Sequence, residues 1–579
     1  MGLLENVEAE LSAAIGAAVG DEGHHDPLLR RSDFADLQAN FALAMARRLG
    51  TQPRELAAKV VGRLEGSKLV RDLEVSGPGF VNLSLTDAGL VAEIADALRS
   101  GAPFDLAAEG DRDVVVIDYS APNVAKQMHV GHLRSTIIGD VLCRVLSHLG
   151  HRVVRRNHIG DWGTPFGMLI GQLSAEGLGP DAQLDIADLT DLYQRARTRF
   201  DEDPAFTEEA RGWVVKLQAG DPTARALWQA LVTQSARYFN EVYDLLDVLL
   251  TDDDIRGESS YDSDLDDVVE ELDAAGLLVE HDGALCMFLD GFTNRDGEPL
   301  PLIVRKSDGG YGYAATDLAA IRRRIRVEGA TRILYVVGLP QNLHLSMIFA
   351  AAGAAGWVTP EHRVEHVAFG SVLGDDGKIL RTRAGAPVRL VELLHAAIDR
   401  ADHEVRIRHD DWDAQRRAPV ARAVGIGAVK FADLLNDRRN DYRFDLDRMV
   451  ATVGATGPYL QYARARISSI LERARSEGMV ADSAVAPDVA FGNDSERALA
   501  IELAHARRTL LDVAQTLEPH HLCRTLLDVA GAFSSFYENS PVLKAEPPVR
   551  ELRFALCRTT EMVLESGLDL LGIRSPDEI

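Results

Sequence analysis

The stretch from residue 114 to residue 154 constrains the fold more than any other part of the chain. Residues 114–117 form a continuous apolar run, which is typical of a strand buried in a parallel sheet. A polar loop at 120–129 leads into a helix predicted at about 131–149, where apolar residues recur at four-residue steps. Gly150 stands where a glycine commonly ends a helix, and a second strand begins at 153. This order predicts an α/β fold with a doubly wound, Rossmann-like parallel sheet.

Periodicity divides the rest of the chain into domains on either side of this unit. Residues 1–110 combine two helical patterns with a turn and a strand near Gly77-Pro78-Gly79, which predicts a small α+β domain. Residues 111–410 are the predicted catalytic domain, with an acidic helical insertion at about 174–254. Residues 411–579 are helical throughout, which predicts an all-α bundle.

Cysteine usage, hydropathy and charge limit the classes of protein to which the chain can belong. The four cysteines lie far apart without a CxxC pair, so we expect no disulfide framework and no structural zinc, and a reducing cytoplasm suits them. The chain has no run of about 18 apolar residues, so no membrane span is predicted. Its acidic start does not resemble a signal peptide. The net charge of −27 opposes nucleic-acid binding only weakly, because the local potential decides binding.

Two histidines mark a candidate phosphate site at the start of the predicted helix. His129 and His132 are three residues apart, so they share a helix face, and each can donate a hydrogen bond to phosphate. A helix N-terminus also attracts phosphate through its free N–H groups and dipole. Gly131 lacks a side chain, which allows a nucleotide to approach the backbone closely. The HxGH string alone is a weak signal, so a pair of surface histidines is an equal alternative at this point.

Longer motifs extend this pattern. Residues 118–139 closely resemble the ATP-binding signature of the arginyl-tRNA synthetases, which are class I aminoacyl-tRNA synthetases. Residues 160–163, 304–310 and 313–319 match further motifs of that family in order, residues 77–82 are similar to its N-terminal domain, and residues 457–463 and 536–538 are similar to its anticodon-binding domain. The resemblance implies an arginine–tRNA ligase, which activates L-arginine with ATP to arginyl-adenylate and transfers it to the 3′ end of tRNA(Arg).

The resemblance also implies the site residues. A guanidinium is planar and permanently charged, so it calls for carboxylates. By the matching positions of the family, Asp118, Tyr313 and Asp317 are expected to bind the guanidinium of arginine. Asn123 and Gln341 are expected to bind its α-amino end. The complete expected arginine site is Asp118, Ser120, Asn123, Tyr313, Asp317 and Gln341. The residues expected to bind ATP are Lys126, His129, Gly131, His132, Lys378, Arg381 and Thr382. The residues expected to contact tRNA are Phe80, Asn82, Tyr459, Tyr462, Arg466 and Tyr537.

Residues 377–385 correspond to the second ATP loop of class I synthetases, but they lack its usual second lysine. We therefore expect Lys378, helped by Arg381 or Arg383, to stabilise pyrophosphate. The resulting catalytic set is His129, His132, Lys378 and Arg383. An ordinary basic hairpin is the alternative interpretation of this segment.

The resemblance further implies ATP with Mg²⁺ as the cofactor, and tRNA(Arg), L-arginine and ATP as partners of a monomer in the cytoplasm. Two alternatives stay open. One is a class I synthetase for another amino acid, which the acidic positions Asp118 and Asp317 oppose. The other is a non-catalytic relative that only binds tRNA, which the intact His129 and His132 oppose.

Overall fold

The computed structural model describes residues 2–21, 23–32, 34–104, 112–182, 184–381, 388–479, 485–486 and 489–579. Its contacts divide the chain into two compact units. The first unit comprises Met1–Ala108, Ala451–Leu570 and Arg574–Ile579. The second comprises Glu109–Val450 and Leu571–Ile573, and we call it the catalytic unit.

The N-terminal part of the first unit is a small α+β structure, as predicted. Its helices are α1 (Leu3–Val19), α2 (Phe41–Leu49), α3 (Pro53–Leu64) and α4 (Asp87–Ser100). Its strands are β1 (Leu29–Arg31), β2 (Leu37–Ala39), β3 (Val70–Ser76) and β4 (Phe80–Leu85), which form an antiparallel sheet in the order β1-β2-β4-β3. Gly79 has a φ of 132° in the turn between β3 and β4, and a Cβ there would lie 3.0 Å from Pro53, so this turn requires glycine.

Among its described residues, the catalytic unit contains three sheets. Its strands are β5 (Val114–Asp118), β6 (Arg152–Arg156), β7 (Val279–His281), β8 (Ala284–Thr293), β9 (Pro299–Arg305), β10 (Arg332–Tyr335), β11 (Arg363–His366), β12 (Val372–Leu373) and β13 (Tyr442–Arg443). The central sheet is parallel, in the order β11-β10-β5-β6. A three-stranded antiparallel sheet follows the order β7-β8-β9, and β12 pairs with β13. The predicted parallel sheet is confirmed.

Helices pack around these sheets. They are α5 (Val130–His148), α6 (Thr164–Ala175), α7 (Ile186–Glu202), α8 (Pro204–Gln218), α9 (Pro222–Leu246), α10 (Leu265–Ala274), α11 (Tyr313–Arg326), α12 (Asn342–Ala354), α13 (Leu390–Arg408), α14 (Ala414–Leu434) and α15 (Leu446–Met449). Helices α7 to α9 fall within the expected insertion. Helices α13 and α14 pack on each other and on α5, so the catalytic unit extends to Val450, beyond the expected boundary at 410.

Four helices complete the first unit, in agreement with the predicted all-α region. They are α16 (Gly457–Ser476), α17 (Asp494–Thr516), α18 (His520–Asn539) and α19 (Val549–Leu570). Ion pairs join α17 to the N-terminal part, because Arg497 contacts Asp36 at 2.7 Å and Asp87 at 2.9 Å. Within the part of the chain that the structure describes, none of the helices combines the length and apolar character needed to cross a membrane.

A buried ion pair joins α5 to α14. Arg134 Nε lies 3.2 Å from Asp433 Oδ2, and both side chains are fully buried. Arg134 also donates to the carbonyl oxygen of Asn440 at 2.9 Å, and its guanidinium lies 5.3 Å from the centre of the Tyr442 ring. Since α5 carries the two predicted phosphate histidines at its start, this pair fixes their helix against the strand β13 that follows α14.

We predict that Arg134→Met destabilises the protein strongly, because it leaves Asp433 buried without its counter-ion. The expected loss is about 3–5 kcal/mol in the free energy of unfolding of the catalytic unit. Denaturant unfolding followed by fluorescence would measure it. The double variant Arg134→Met/Asp433→Leu removes both charges and should recover much of the loss. Equal instability of the single and double variants would contradict the ion-pair explanation.

Candidate active site

The candidate site lies at the carboxyl edge of the parallel sheet. From β5 the chain crosses through α5 to β6 on one side, whereas β10 pairs with β5 on the other side. Loops that leave neighbouring strands in opposite directions open a crevice at such a switch point. The residues at this edge are Asp118, at the end of β5, and Tyr335, at the end of β10.

The loop between β5 and α5 is held in an unusual conformation by helix α9. Ser120, Ala121 and Ala125 all have positive φ values, which non-glycine residues rarely adopt. Ser235 accepts a hydrogen bond from the backbone N–H of Ala125 at 2.9 Å. Further bonds to α9 join Met128 N to Tyr238 (3.1 Å) and the Ser120 hydroxyl to Tyr243 (2.8 Å). The expected insertion therefore positions the loop, a role that the sequence motifs did not indicate.

The two histidines cap α5 and one another. The backbone N–H of Gly131 donates to His129 Nδ1, and the backbone N–H of His129 donates to His132 Nδ1, each at 3.1 Å. The ring centres are 4.1 Å apart. An Nδ1 atom that accepts a hydrogen bond is unprotonated, so the proton of each neutral ring lies on Nε2. Each ring therefore has an Nε2–H donor that takes no part in the helix cap.

Both histidines are neutral at physiological pH. Burial lowers the pKa of His129, and Lys126 lowers it further. Burial, together with the neighbouring His129, lowers the pKa of His132 to about 3. A lowered pKa means that the imidazolium forms only as the pH falls towards that value. The pair consequently acts through hydrogen bonds rather than through positive charge.

A second group of side chains surrounds Asp317 in the first turns of α11. Asp317 accepts a hydrogen bond from His344 of α12, with 2.6 Å between Oδ2 and Nε2. Tyr313, one turn earlier, is exposed. Glu258, in the 3₁₀ helix Glu258–Asp264, faces both Asp161 and Asp317, and burial and these two charges raise its pKa to about 8. Together these acidic groups favour the binding of a cation.

Residues 160–163 explain how Glu258 is placed. Asp161 accepts hydrogen bonds from the backbone N–H and the hydroxyl of Ser259, at 2.8 Å and 2.6 Å. Gly257 must be glycine, because a Cβ there would lie 2.3 Å from Asp161 Oδ2. The backbone of Trp162 also donates to Glu258. Sequence reasoning missed Glu258, since no local pattern around it signals a site.

Two residues of the expected arginine site are bonded to other side chains in the interior of the protein. Asp118 is buried, and its Oδ2 forms an ion pair with Arg324 at 2.6 Å. Ser120 is also buried, and its hydroxyl bonds to Tyr243 and to Thr136. Buried partners hold both side chains in place. Their expected contact with arginine stays a prediction.

The other residues expected around the small substrates are accessible. Asn123 is exposed, and its backbone pairs with Gly160. Gln341 is exposed at the end of the 3₁₀ turn Leu339–Gln341. Lys126 is half-buried, with its Nζ 4.2 Å from the centre of the Tyr193 ring. Asn123 and Lys126 lie in the loop that leads to His129, and Gln341 directly precedes α12, which carries the partner of Asp317.

The predicted second ATP loop begins as a hairpin. Gly374 N donates to Lys378 O at 2.8 Å, and Leu380 N donates to Val372 O at 2.9 Å. Lys378 and Arg381 are exposed, whereas Thr382 and Arg383 lie outside the described residues. The backbone of Arg389 forms an antiparallel bridge with that of His129. The role of this segment in ATP binding stays a prediction.

The expected tRNA residues differ in accessibility. Asn82 is buried and bonded to Gln38 at 2.8 Å and to Ser76 at 3.2 Å, so its side chain is committed within the N-terminal sheet. Phe80, Tyr459 and Tyr462 are half-buried. Tyr537 and Arg466 are exposed.

The four cysteines are free thiols, and each is buried. Within the described ranges, the group whose side chains have metal-ligand spacing is Glu518, His520 and His521, at the start of α18. It belongs to the first unit and is no part of the site described above.

Comparisons with known proteins agree along the whole chain. Residues 93–446 match the family model described as tRNA synthetases class I (R), catalytic domain. Residues 460–579 match the DALR anticodon binding domain, and residues 5–85 match the arginyl tRNA synthetase N terminal domain.

Relatives that match the full chain include two from bacteria and one with a solved structure. The chain is 50% identical to an arginine–tRNA ligase of Thermobifida fusca over 98% of both chains. It is 47% identical to one of Frankia casuarinae, which covers 100% of this chain and 99% of the relative. The crystal structure of arginyl-tRNA synthetase from Plasmodium falciparum is similar at 26% identity with a TM-score of 0.86, covering 100% of both chains.

We predict that His132 remains neutral, with its proton on Nε2, from pH 5 to pH 8. Its lowered pKa of about 3 places protonation well below that range. Nitrogen-15 NMR of histidine-labelled protein distinguishes the two tautomers and the imidazolium, and His132→Asn assigns the signal. An imidazolium signal from His132 at pH 6 would contradict the proposed cap.

Proposed function

The chain belongs to the arginyl-tRNA synthetase family, and we propose that the side chains described above activate arginine and transfer it to tRNA. The chain is an arginine–tRNA ligase that consumes ATP. The observation that carries the assignment of residues is the electrostatic effect of Asp161 and Asp317 on Glu258, in the unit that also holds two neutral histidine donors. The backbone bridge between Asn123 and Gly160 joins the loop before the histidines to the segment of Asp161. A cation site and a phosphate site together suit a substrate with a guanidinium and a carboxylate that attacks ATP.

Glu258 and Asp317 are our candidates for the guanidinium ligands. Each can accept hydrogen bonds from its N–H groups, and charge-assisted bonds of this kind are among the strongest in proteins. The exposed Tyr313 can cover the substrate from the start of α11. Asn123 and Gln341, also exposed, are candidates for the α-amino end. Asp118 contributes indirectly in this assignment, because it holds Arg324 at the end of β5.

His129 and His132 are assigned to the α-phosphate. In the first step the arginine carboxylate attacks that phosphorus, pyrophosphate leaves, and negative charge spreads over the phosphate oxygens. Donors that are fixed beforehand stabilise such charge without reorganising, and the mutual cap of the two rings fixes their Nε2–H groups. Lys126 is the nearby cation for ATP, and Gly131 leaves room for the nucleotide. Lys378 and Arg381, with Thr382 and Arg383, are proposed for pyrophosphate.

ATP enters, in this proposal, as its magnesium complex. The groups assigned to phosphate are histidine, lysine and arginine side chains, which donate hydrogen bonds and do not coordinate Mg²⁺. The phosphate oxygens and water would therefore supply most of the metal ligands, as Mg²⁺ commonly requires. The bound Mg²⁺ would neutralise negative charge on the phosphates.

In the second step, the terminal ribose hydroxyl of the tRNA attacks the carbonyl carbon of arginyl-adenylate, the bond from that carbon to the phosphate oxygen breaks, and AMP leaves. Tyr537 and Arg466 are exposed on the C-terminal helices and suit base stacking and phosphate contact, with Tyr459 and Tyr462 as half-buried partners. Phe80 is proposed for the tRNA elbow. We further propose a monomer in the cytoplasm, where the four buried thiols stay reduced.

Aminoacylation by the purified full chain tests the function. The assay combines total tRNA, ATP and magnesium with one labelled amino acid at a time. Charging of arginine alone is the expected result. Charging of another amino acid would overturn the pocket assignment, and tRNA binding without any charging would favour a non-catalytic relative.

We predict that arginine binding strengthens as the pH rises towards 8. The raised pKa of Glu258 keeps its carboxyl protonated in the empty pocket at lower pH, and a guanidinium favours the ionised form, so binding releases a proton. Below the pKa, the KM for arginine should therefore fall by up to about tenfold per pH unit. Steady-state kinetics from pH 6.5 to 9 would measure this.

Glu258→Gln should raise the KM for arginine and remove the pH dependence centred near 8, with little change in the KM for ATP. Glu270→Gln, an exposed substitution on α10, is the matched control and should behave as wild type. A Glu258→Gln enzyme that retains the full pH dependence would exclude this carboxyl as its source.

A further inference from the structure

His344 is a histidine in the first turn of α12 that no sequence motif indicated. Its Nε2 lies 2.6 Å from Oδ2 of Asp317, on α11, and both side chains are half-buried. This bond is shorter than a typical N–H···O contact and is the expected length for one to a charged partner. It joins two helices that otherwise reach the site from separate strands.

The bond restricts what the carboxylate can do. A side chain held at one oxygen keeps a single rotamer, and its second oxygen then points in a fixed direction. Among the described residues, Oδ1 of Asp317 has no hydrogen-bond partner, whereas Oδ2 is taken by His344. The free oxygen is therefore available to a ligand, and its position depends on α12.

Helix α12 also carries the other end of the pocket. Gln341 ends the 3₁₀ turn that runs directly into α12, three residues before His344. Residues three apart lie on neighbouring positions of one helix face. The contact between His344 and Asp317 thus sets the separation between Gln341 and the Asp317 carboxylate.

We propose that His344 is the positioning residue that fixes the length of the arginine pocket, by holding Asp317 at a set distance from the start of α12. This inference rests on the proposed function, in which Asp317 accepts the guanidinium. Arginine, whose chain spans that distance, meets the free oxygen directly. In an analogue with one more methylene group, the guanidinium extends past this oxygen and cannot bond to it in the same geometry.

The charged groups around His344 determine how arginine binding depends on pH. Asp317 faces it from α11. Glu258 from the 3₁₀ helix and Tyr335 from β10 lie in the field of Asp317, and His366 lies on β11 beside α12. The hydrogen bond to Asp317 raises the pKa of His344, and burial opposes that shift. Below this pKa the imidazolium shares Asp317 with the incoming guanidinium, so part of the pH dependence of arginine binding belongs to His344.

Steady-state aminoacylation by the full-length enzyme tests the proposal. His344→Ala should raise the KM for arginine about 10–100-fold, the loss expected for a hydrogen bond to a charged group, while kcat and the KM for ATP change less than about threefold. His344→Gln places an amide N–H near the position of Nε2, so it should recover most of the arginine affinity. It cannot titrate, so its pH profile should lack the His344 contribution.

Two further measurements separate positioning from general damage. The preference for arginine over homoarginine, as the ratio of kcat/KM values, should fall about tenfold in His344→Ala and recover in His344→Gln. His344→Ala should also have little additional effect in an Asp317→Asn background, because the residue acts through that carboxylate. His366→Ala, which removes a half-buried histidine beside α12 without a bond to Asp317, is the control and should leave the preference unchanged.

The outcomes distinguish this inference from the function on which it rests. Failure of wild type to charge arginine would overturn the proposed function. Normal charging by wild type with a raised KM in Asp317→Asn, but an unchanged KM in His344→Ala, would overturn the role of His344 alone. Equal losses in His344→Ala and His344→Gln, or additive losses with Asp317→Asn, would also overturn it.

Discussion

A carboxylate removed from water needs a cation, a proton or a set of hydrogen-bond donors, and this constraint organises the catalytic unit. Asp433 is paired with Arg134, and Asp118 with Arg324, so these two anions are neutralised within the fold. Glu258 instead holds a proton, and Asp317 is bonded to His344. The first two pairs build the frame. The last two groups can change partner or protonation state when a cation arrives, which is what a reversible guanidinium site requires.

The loop that carries the phosphate chemistry depends on a part of the chain distant in sequence. Its positive φ angles at Ser120, Ala121 and Ala125 persist because side chains from elsewhere bond to the backbone. Ser135 accepts from Ser120, Asn157 accepts from Ala121, and Ser235 of α9 accepts from Ala125. The histidine pair then begins α5 with its Nδ1 atoms committed to the cap. The insertion thus contributes to holding the loop that leads to the histidines.

The sequence predicted what local periodicity and motifs can encode. The buried strand β5, helix α5 and the histidine turn followed from residues 114–149, and the structure confirms the parallel sheet. Glu258 was missed because the charges that act on it, Asp161 and Asp317, are remote in sequence, and Asp161 is joined to the segment of Glu258 only through its bonds to Ser259. The contact of Asp118 with arginine stays a prediction, and its ion pair with Arg324 could not be foreseen because sequence spacing does not reveal a partner 206 residues away.

The division of the chain into units bears on the order in which it folds during synthesis. The catalytic unit is almost continuous, from Glu109 to Val450, whereas the first unit combines Met1–Ala108 with Ala451–Leu570. Its N-terminal part contributes Asp36 and Asp87 to ion pairs with Arg497 on α17. At about 5–20 residues per second, those partners leave the ribosome tens of seconds after the sheet does. The oldest part of the nascent chain therefore waits longest for its final contacts, and it is the segment for which a chaperone has most time to act.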